Sequence, residues 1–154
     1  MELRGEYRLA ASRETVWTRL NDPATLREAI PGCEMLEVTA ENRMAVRVGI
    51  KLGFWTARFS GEMHLEDIHP PERWSIVGEG QGGIAGFAAG RADIRLADEG
   101  DETVLHYRVT AETGGRIAEL GGRWVEAAGA KLVERFLKRL AEQVENGSPA
   151  TAGD

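Results

Sequence analysis

Residues 78 to 83 read Gly-Glu-Gly-Gln-Gly-Gly, which spaces Gly78, Gly80 and Gly83 as G-x-G-x-x-G. Where such a run ends a strand and opens a helix, its backbone N–H groups can cradle a pyrophosphate. The same stretch carries two polar side chains, Glu79 and Gln81. Strict alternation turns both away from the glycines' face, and a bulge would swing one of them back. A carboxylate brought into an apolar pocket in that way would have a raised pKa and could act as an acid or base. The remaining chemistry-bearing candidates are His64, His69, His106 and Cys33. His64 and His106 fall on the polar parity of their strands, and His69 adjoins Pro70 in a turn. No metal-ligand spacing emerges, and no inward histidine is available to serve a Ser/His/Asp arrangement. Cys33 comes after a Pro-Gly turn and reads as a packed or turn cysteine. No catalytic or metal residue is assigned.

A dinucleotide fingerprint needs its helix to open inside the motif. After Gly83 the chain reads IAGFAAGRADIRLA, whose later part alternates like a strand. Nucleotide binding is therefore disfavoured, and two readings of the glycines stay open. One is mechanical: glycines bend a curved sheet and allow bulges. The other is volumetric. Gly78, Gly80 and Gly82 share parity with Trp74 and Ile76, so their face lacks side chains and leaves space. Ala128 belongs to a small-residue stretch of the C-terminal segment that would lie opposite. A cavity lined by Phe59, Trp74, Phe87, Tyr107, Leu120 and Trp124, together with these glycines and Ala128, would be dry and aromatic. Tyr107 would be its inward polar handle for a carbonyl group.

The elements that must position these residues can be read from periodicity. Residues 2–9 alternate, with Leu3, Gly5, Tyr7 and Leu9 on one side. Ser12 caps a short helix carrying Val16, Trp17 and Leu20. Asp22 caps a second, with Pro23 at its first position and Pro31-Gly32 as its stop. Strands are expected at 33–40, 43–52, 54–68, 73–80, 91–97 and 103–111. From Gly115 onward Ile117, Leu120, Trp124, Ala128, Leu132, Phe136, Leu140 and Val144 recur at three and four, which predicts one long amphipathic helix. Arg135, Lys138 and Arg139 are expected to complement its dipole. An apolar sheet face needs a cover, and only this helix is long enough. The expected fold is α+β: a curved antiparallel sheet wrapped around a long C-terminal helix, with two short helices after the first strand. Residues 1–145 form one domain on this reading, and 146–154 a flexible polar tail.

The 154 residues carry a formal net charge of -6, which argues against nucleic acid and against attraction to anionic lipid. There is no apolar run near the roughly 20 residues that a membrane helix needs, and the N-terminus lacks the apolar segment of a signal peptide. With a single cysteine, a cytoplasmic location is expected.

Three tracts, NDPATLREAIPGCE, PPERWSIVGEGQGGIAGFAAGRADIRL and GGRIAELGGRWVEAAGAKLVERF, resemble the carbon monoxide dehydrogenase G-subunit family. That family belongs to the START-like, helix-grip (SRPBCC) superfamily. The resemblance covers about Met1 to Val144. It implies a hydrophobic cavity between sheet and helix that holds a lipophilic ligand such as a quinone, with no tightly bound cofactor. It also implies an accessory role beside a CO-dehydrogenase-like molybdenum hydroxylase at the inner face of the cytoplasmic membrane. Some members extend into an apolar tail; here the last residues are polar, so any membrane contact is expected to be peripheral and transient. Two alternatives stand beside this reading. One is a cyclase or hydrolase acting on hydrophobic substrates in the same fold. The other is an interaction domain whose cavity has collapsed.

Overall fold

The computed structural model describes residues 1–146. The tail expected at 146–154 lies outside the described residues, except for Asn146, which closes the last helix. The chain runs β1 (Glu2–Leu9), α1 (Arg13–Leu20), α2 (Pro23–Ala29), β2 (Cys33–Ala40), β3 (Arg43–Leu52), β4 (Trp55–His69), β5 (Arg73–Gln81), β6 (Phe87–Glu99), β7 (Glu102–Gly114) and α3 (Gly122–Asn146). The strands form one seven-stranded sheet, ordered β1-β7-β6-β5-β4-β3-β2. Every pairing is antiparallel. Because β1 returns beside β7, only the β1–β7 pair joins strands distant in sequence.

The short helices begin where their caps require. The Ser12 side chain accepts a hydrogen bond from the Thr15 N–H, and the Asp22 side chain from the Ala24 N–H. Each satisfies a backbone donor that the first helical turn would otherwise leave open. Both helices close one end of the sheet. Val16 and Leu20 of α1, Leu26 of α2, Leu9 of β1 and Leu140 and Val144 of α3 are all buried in one core cluster. Trp74 of β5, 2% exposed, meets Trp17 edge to face, with ring centroids 4.5 Å apart. Such a pair contributes about 1 kcal/mol beyond its buried area. Two polar contacts tie this end together. Thr103 Oγ1 donates to the Ala11 carbonyl at 2.8 Å, and the Ala10 N–H donates to the Glu145 carboxylate at 2.8 Å.

The long helix differs from its expected form. Residues Gly115–Leu120 make a separate 3-10 turn, and α3 starts only at Gly122. Gly121, at φ +98, lies in a region other residues rarely adopt. The i+3/i+4 pattern runs through this break, which is why it read as continuous. Ile117 therefore packs in a second buried cluster with Ala57, Phe59 and Ala85, away from the helix stripe. The dipole argument fails for a related reason. The helix continues to Asn146, and its last turn holds no basic residue. Arg139 sits about two turns before that end, where the dipole's influence has faded.

The outer face of the sheet is charged. Arg91 of β6 reaches Asp93 and Glu66 at 2.9 Å and Asp67 at 3.2 Å, linking β6 to β4. The Ser75 hydroxyl and then Arg91 hold Asp93 below its usual pKa. The His64 ring and then Arg91 do the same for Glu66. A carboxylate with a depressed folded pKa stabilises the fold above its unfolded value, about 4, and loses that contribution as pH falls through the folded value. Arg91→Met should lower Tm at neutral pH, and the deficit should shrink below about pH 4; thermal melts at both pH values check this.

Candidate functional site

The glycine tract ends a strand. β5 stops at Gln81, Gly83–Ala85 make one 3-10 turn, and β6 begins at Phe87 as the antiparallel neighbour of β5. No crossover helix opens at the motif, so its N–H groups serve a sheet and not a pyrophosphate. The bulge that would have turned Glu79 or Gln81 inward is also absent. Register runs unbroken from Ser75 to Gln81 against both β4 and β6. Glu79 and Gln81 therefore stay exposed on the outward parity, which removes the one catalytic route the sequence offered.

Both glycine readings hold, at different positions. Gly61 of β4 faces Gly80 of β5. A Cβ on Gly61 would overlap the Glu79 carbonyl oxygen, so close approach of the strands requires glycine there. At Gly80 a Cβ would sit 3.4 Å from Phe59 Cβ, an ordinary contact. At Gly78 it would lie 3.3 Å from Met63 Cγ. The atoms met at both positions belong to β4 and none to α3. These glycines thus do not meet the helix directly, which the collapsed-cavity alternative requires.

That space is an inner-face concavity of about 370 Å³. Its floor is Gly78 and Gly80 of β5 with Ala88, Gly90 and Ala92 of β6, and its walls include Val46, Val48, Ile50 and Phe59. The volume lies within the roughly 300–1,000 Å³ typical of small-molecule sites. Glu62, Glu79 and Arg91 border it only at outward-facing strand positions. Glu62 and Glu79 are exposed, and Arg91 is engaged on the outer face. The chemistry on offer is dispersion and apolar desolvation. A depression of about 650 Å³ also lies on the outer face, but its arginines are largely matched by carboxylates, as at Arg91 and Arg108.

The other residues singled out from sequence disperse. Gly82 lies beyond the strand, where a Cβ would meet the Phe59 ring. Trp74 is in the main core against Trp17 and does not line the concavity. Tyr107 also packs on that core, its ring lying over Gly5, so it offers no handle inside the hollow. Phe87 is 38% exposed, its ring resting on Gly114, and Leu120 is 45% exposed. Trp124 and Ala128 line a neighbouring groove. Periodicity gave the right face for Trp74 and Tyr107. It could not give their distance along the strands from the glycine floor.

Sequence reasoning passed over Ala88, Gly90 and Ala92, whose small size and alternation with Arg91 were a usable signal. His64 bonds Glu66 at 2.7 Å, and His106 lies 3.6 Å from Glu6. Cys33 is partly buried, which pushes its thiol pKa up. Among the described residues no cluster of His, Cys, Asp or Glu is arranged to hold a metal. Among the described residues no helix is long and apolar enough to cross a membrane.

A family model described as the carbon monoxide dehydrogenase G-subunit (CoxG) matches residues 5–145. Three solved structures share the fold over nearly the whole chain. A conserved protein from Geobacillus kaustophilus is 27% identical, with a TM-score of 0.88 over 94% of this chain and 95% of its own. A START superfamily protein from Mycobacterium smegmatis is 17% identical, with a TM-score of 0.73 over 96% and 99%. An aromatase/cyclase from Streptomyces sp. R1128 is 17% identical, with a TM-score of 0.67 over 99% and 98%. At 17% identity the last two bear on the fold alone. No curated protein matches.

The two glycines should respond oppositely to substitution. Gly61→Ala should cost about 2–3 kcal/mol, because backbone must move. Gly80→Ala should stay within about 1 kcal/mol. Urea denaturation of the two variants separates the cases.

Proposed function

The chain belongs to the carbon monoxide dehydrogenase G-subunit (CoxG) family, and we propose that it is an accessory protein that holds a lipophilic ligand in the inner-face concavity. The observation that carries this reading is the apolar floor of Gly78, Gly80, Ala88 and Gly90, which no side chain fills. Close packing normally removes such space, and an open apolar hollow of ligand size is better accounted for by an occupant. A quinone suits it, with its ring against Phe59 and its apolar tail over the glycine floor. The site's residues bind and exclude water; they hold no acid or base toward the ligand. The cyclase or hydrolase alternative needs an inward ionisable group, and the bordering carboxylates point to the outer face. Family membership supports a molybdenum hydroxylase of the CO-dehydrogenase type as the enzyme assisted, with the work done on the cytoplasmic side and membrane contact limited to brief collisions.

Organic extracts of the protein, purified under native conditions from its own host, should yield one lipophilic molecule near stoichiometry by mass spectrometry. Gly80→Leu should fold and lose that molecule, because its side chain projects into the hollow. Empty wild-type extracts, even after incubation with host membrane lipids, would overturn the reading, as would undiminished loading of Gly80→Leu.

A further inference from the structure

Beside the concavity lies a groove of about 680 Å³ between α3, the Pro31-Gly32 turn and the end of β3. β2 pairs with β3 as far as Val48 and the Gly49 N–H still donates to the Gly32 carbonyl at 2.9 Å, so it is from Ile50 onward that β3 has no strand on that side. Groove and concavity share Ile50 as a lining residue, so the two hollows adjoin. Their chemistry is opposite. Lys131, Arg135 and Arg139 of α3 line the groove, Lys51 borders it at an outward-facing position of β3, and no Asp or Glu lines it.

This is unusual in a chain with 25 Asp and Glu against 19 Lys and Arg. On the strands, arginines are matched by carboxylates, as at Arg8, Arg58, Arg91 and Arg108. Among the described residues none of the four groove cations makes an ion pair or a side-chain hydrogen bond. Glu34, beside Gly49, is held by Arg58 Nε at 3.1 and 3.2 Å and is not available to them. Lys131, Arg135 and Arg139 also stand at i, i+4 and i+8 on one helix face, where like charges repel. The helix dipole does not offset this, since their row lies short of the last turn.

We infer that the groove binds the anionic head of an amphiphile, a carboxylate or a phosphate, whose apolar body lies in the concavity. The inference rests on the lipophilic-ligand reading and sharpens it, because a neutral quinone would leave the three α3 cations without a counter-charge. Guanidinium groups suit either head, since both present paired oxygens to the planar fork. Trp124, at the groove's edge and 38% exposed, offers the body an apolar surface where it leaves the hollow.

The test is calorimetric titration of the full chain, at low and high salt, with dodecanoate, dodecyl phosphate, dodecanol and decylubiquinone. The two anions should bind about tenfold tighter than dodecanol at low salt, with the advantage shrinking as salt screens the cations. Arg135→Gln/Arg139→Gln should remove about tenfold of the anions' affinity and leave dodecanol unchanged. A preference between the two anions would support the site and identify its head. If dodecanol or decylubiquinone binds as tightly as dodecanoate, the anionic head is overturned and the lipophilic-ligand reading survives. If no probe binds, both fall. If the chain sediments with phosphatidylglycerol vesicles and saturating dodecanoate does not release it, the cations serve a bilayer surface and the head-group assignment is overturned.

Discussion

At one place on the sheet, β4 and β5 approach so closely that a methyl group on Gly61 would overlap the Glu79 carbonyl oxygen. That approach, opposite Gly80, is a constraint on which much of the inner face depends. Side chains are excluded at Gly61 for want of room. At Gly78 and Gly80 a methyl would only touch β4 side chains, at 3.3 and 3.4 Å, and at Gly90 it would press on the Thr110 carbonyl oxygen at 3.0 Å. A sheet of ordinary composition would place Val or Ile at these positions and close its inner face against the helix. Here the centre of the inner face has a floor and no filling.

The long helix completes the arrangement by being two things along its length. Its C-terminal half carries Leu137, Leu140, Ala141 and Val144, all buried, and with α1 and α2 it seals one end of the sheet. Its N-terminal half covers less. Trp124 and Ala127 are exposed, and a Cβ on Gly122 would meet nothing within 4 Å. Stability therefore resides at the closed end, where two tryptophans meet and Thr103 and Glu145 satisfy backbone groups. The open end carries little of the core. Binding sites are commonly built this way, on surface that folding does not need to close.

Charge obeys the same division. On the outer face arginines and carboxylates neutralise each other across strands, giving modest, salt-sensitive support. The inner hollow holds no ionised side chain, and the groove beside it holds cations only. A ligand meeting both would be apolar along its length and polar at one end.

Much of the fold was legible in local pattern. The caps at Ser12 and Asp22, the Pro31-Gly32 stop and the parity of each strand come from nearest-neighbour chemistry, and they determine that a one-faced sheet must be covered by a C-terminal helix. The break at Gly121 was hidden because apolar spacing passes through it, although the paired glycines 121 and 122 marked it. Alternation assigned Trp74 and Tyr107 to the inner face, where they lie. It could not say that Trp74 meets Trp17 at the closed end, or that Tyr107 rests on Gly5. Those positions depend on strand register and on how far α1 reaches over the sheet, which are distances between residues remote in the chain. The groove is the clearest case. Sequence marked Arg135 and Arg139 only as partners of the helix dipole and gave Lys51 and Lys131 no role. Only the early end of β2 and the path of α3 bring them around one hollow, because proximity across 80 residues of chain is set by packing and not by spacing.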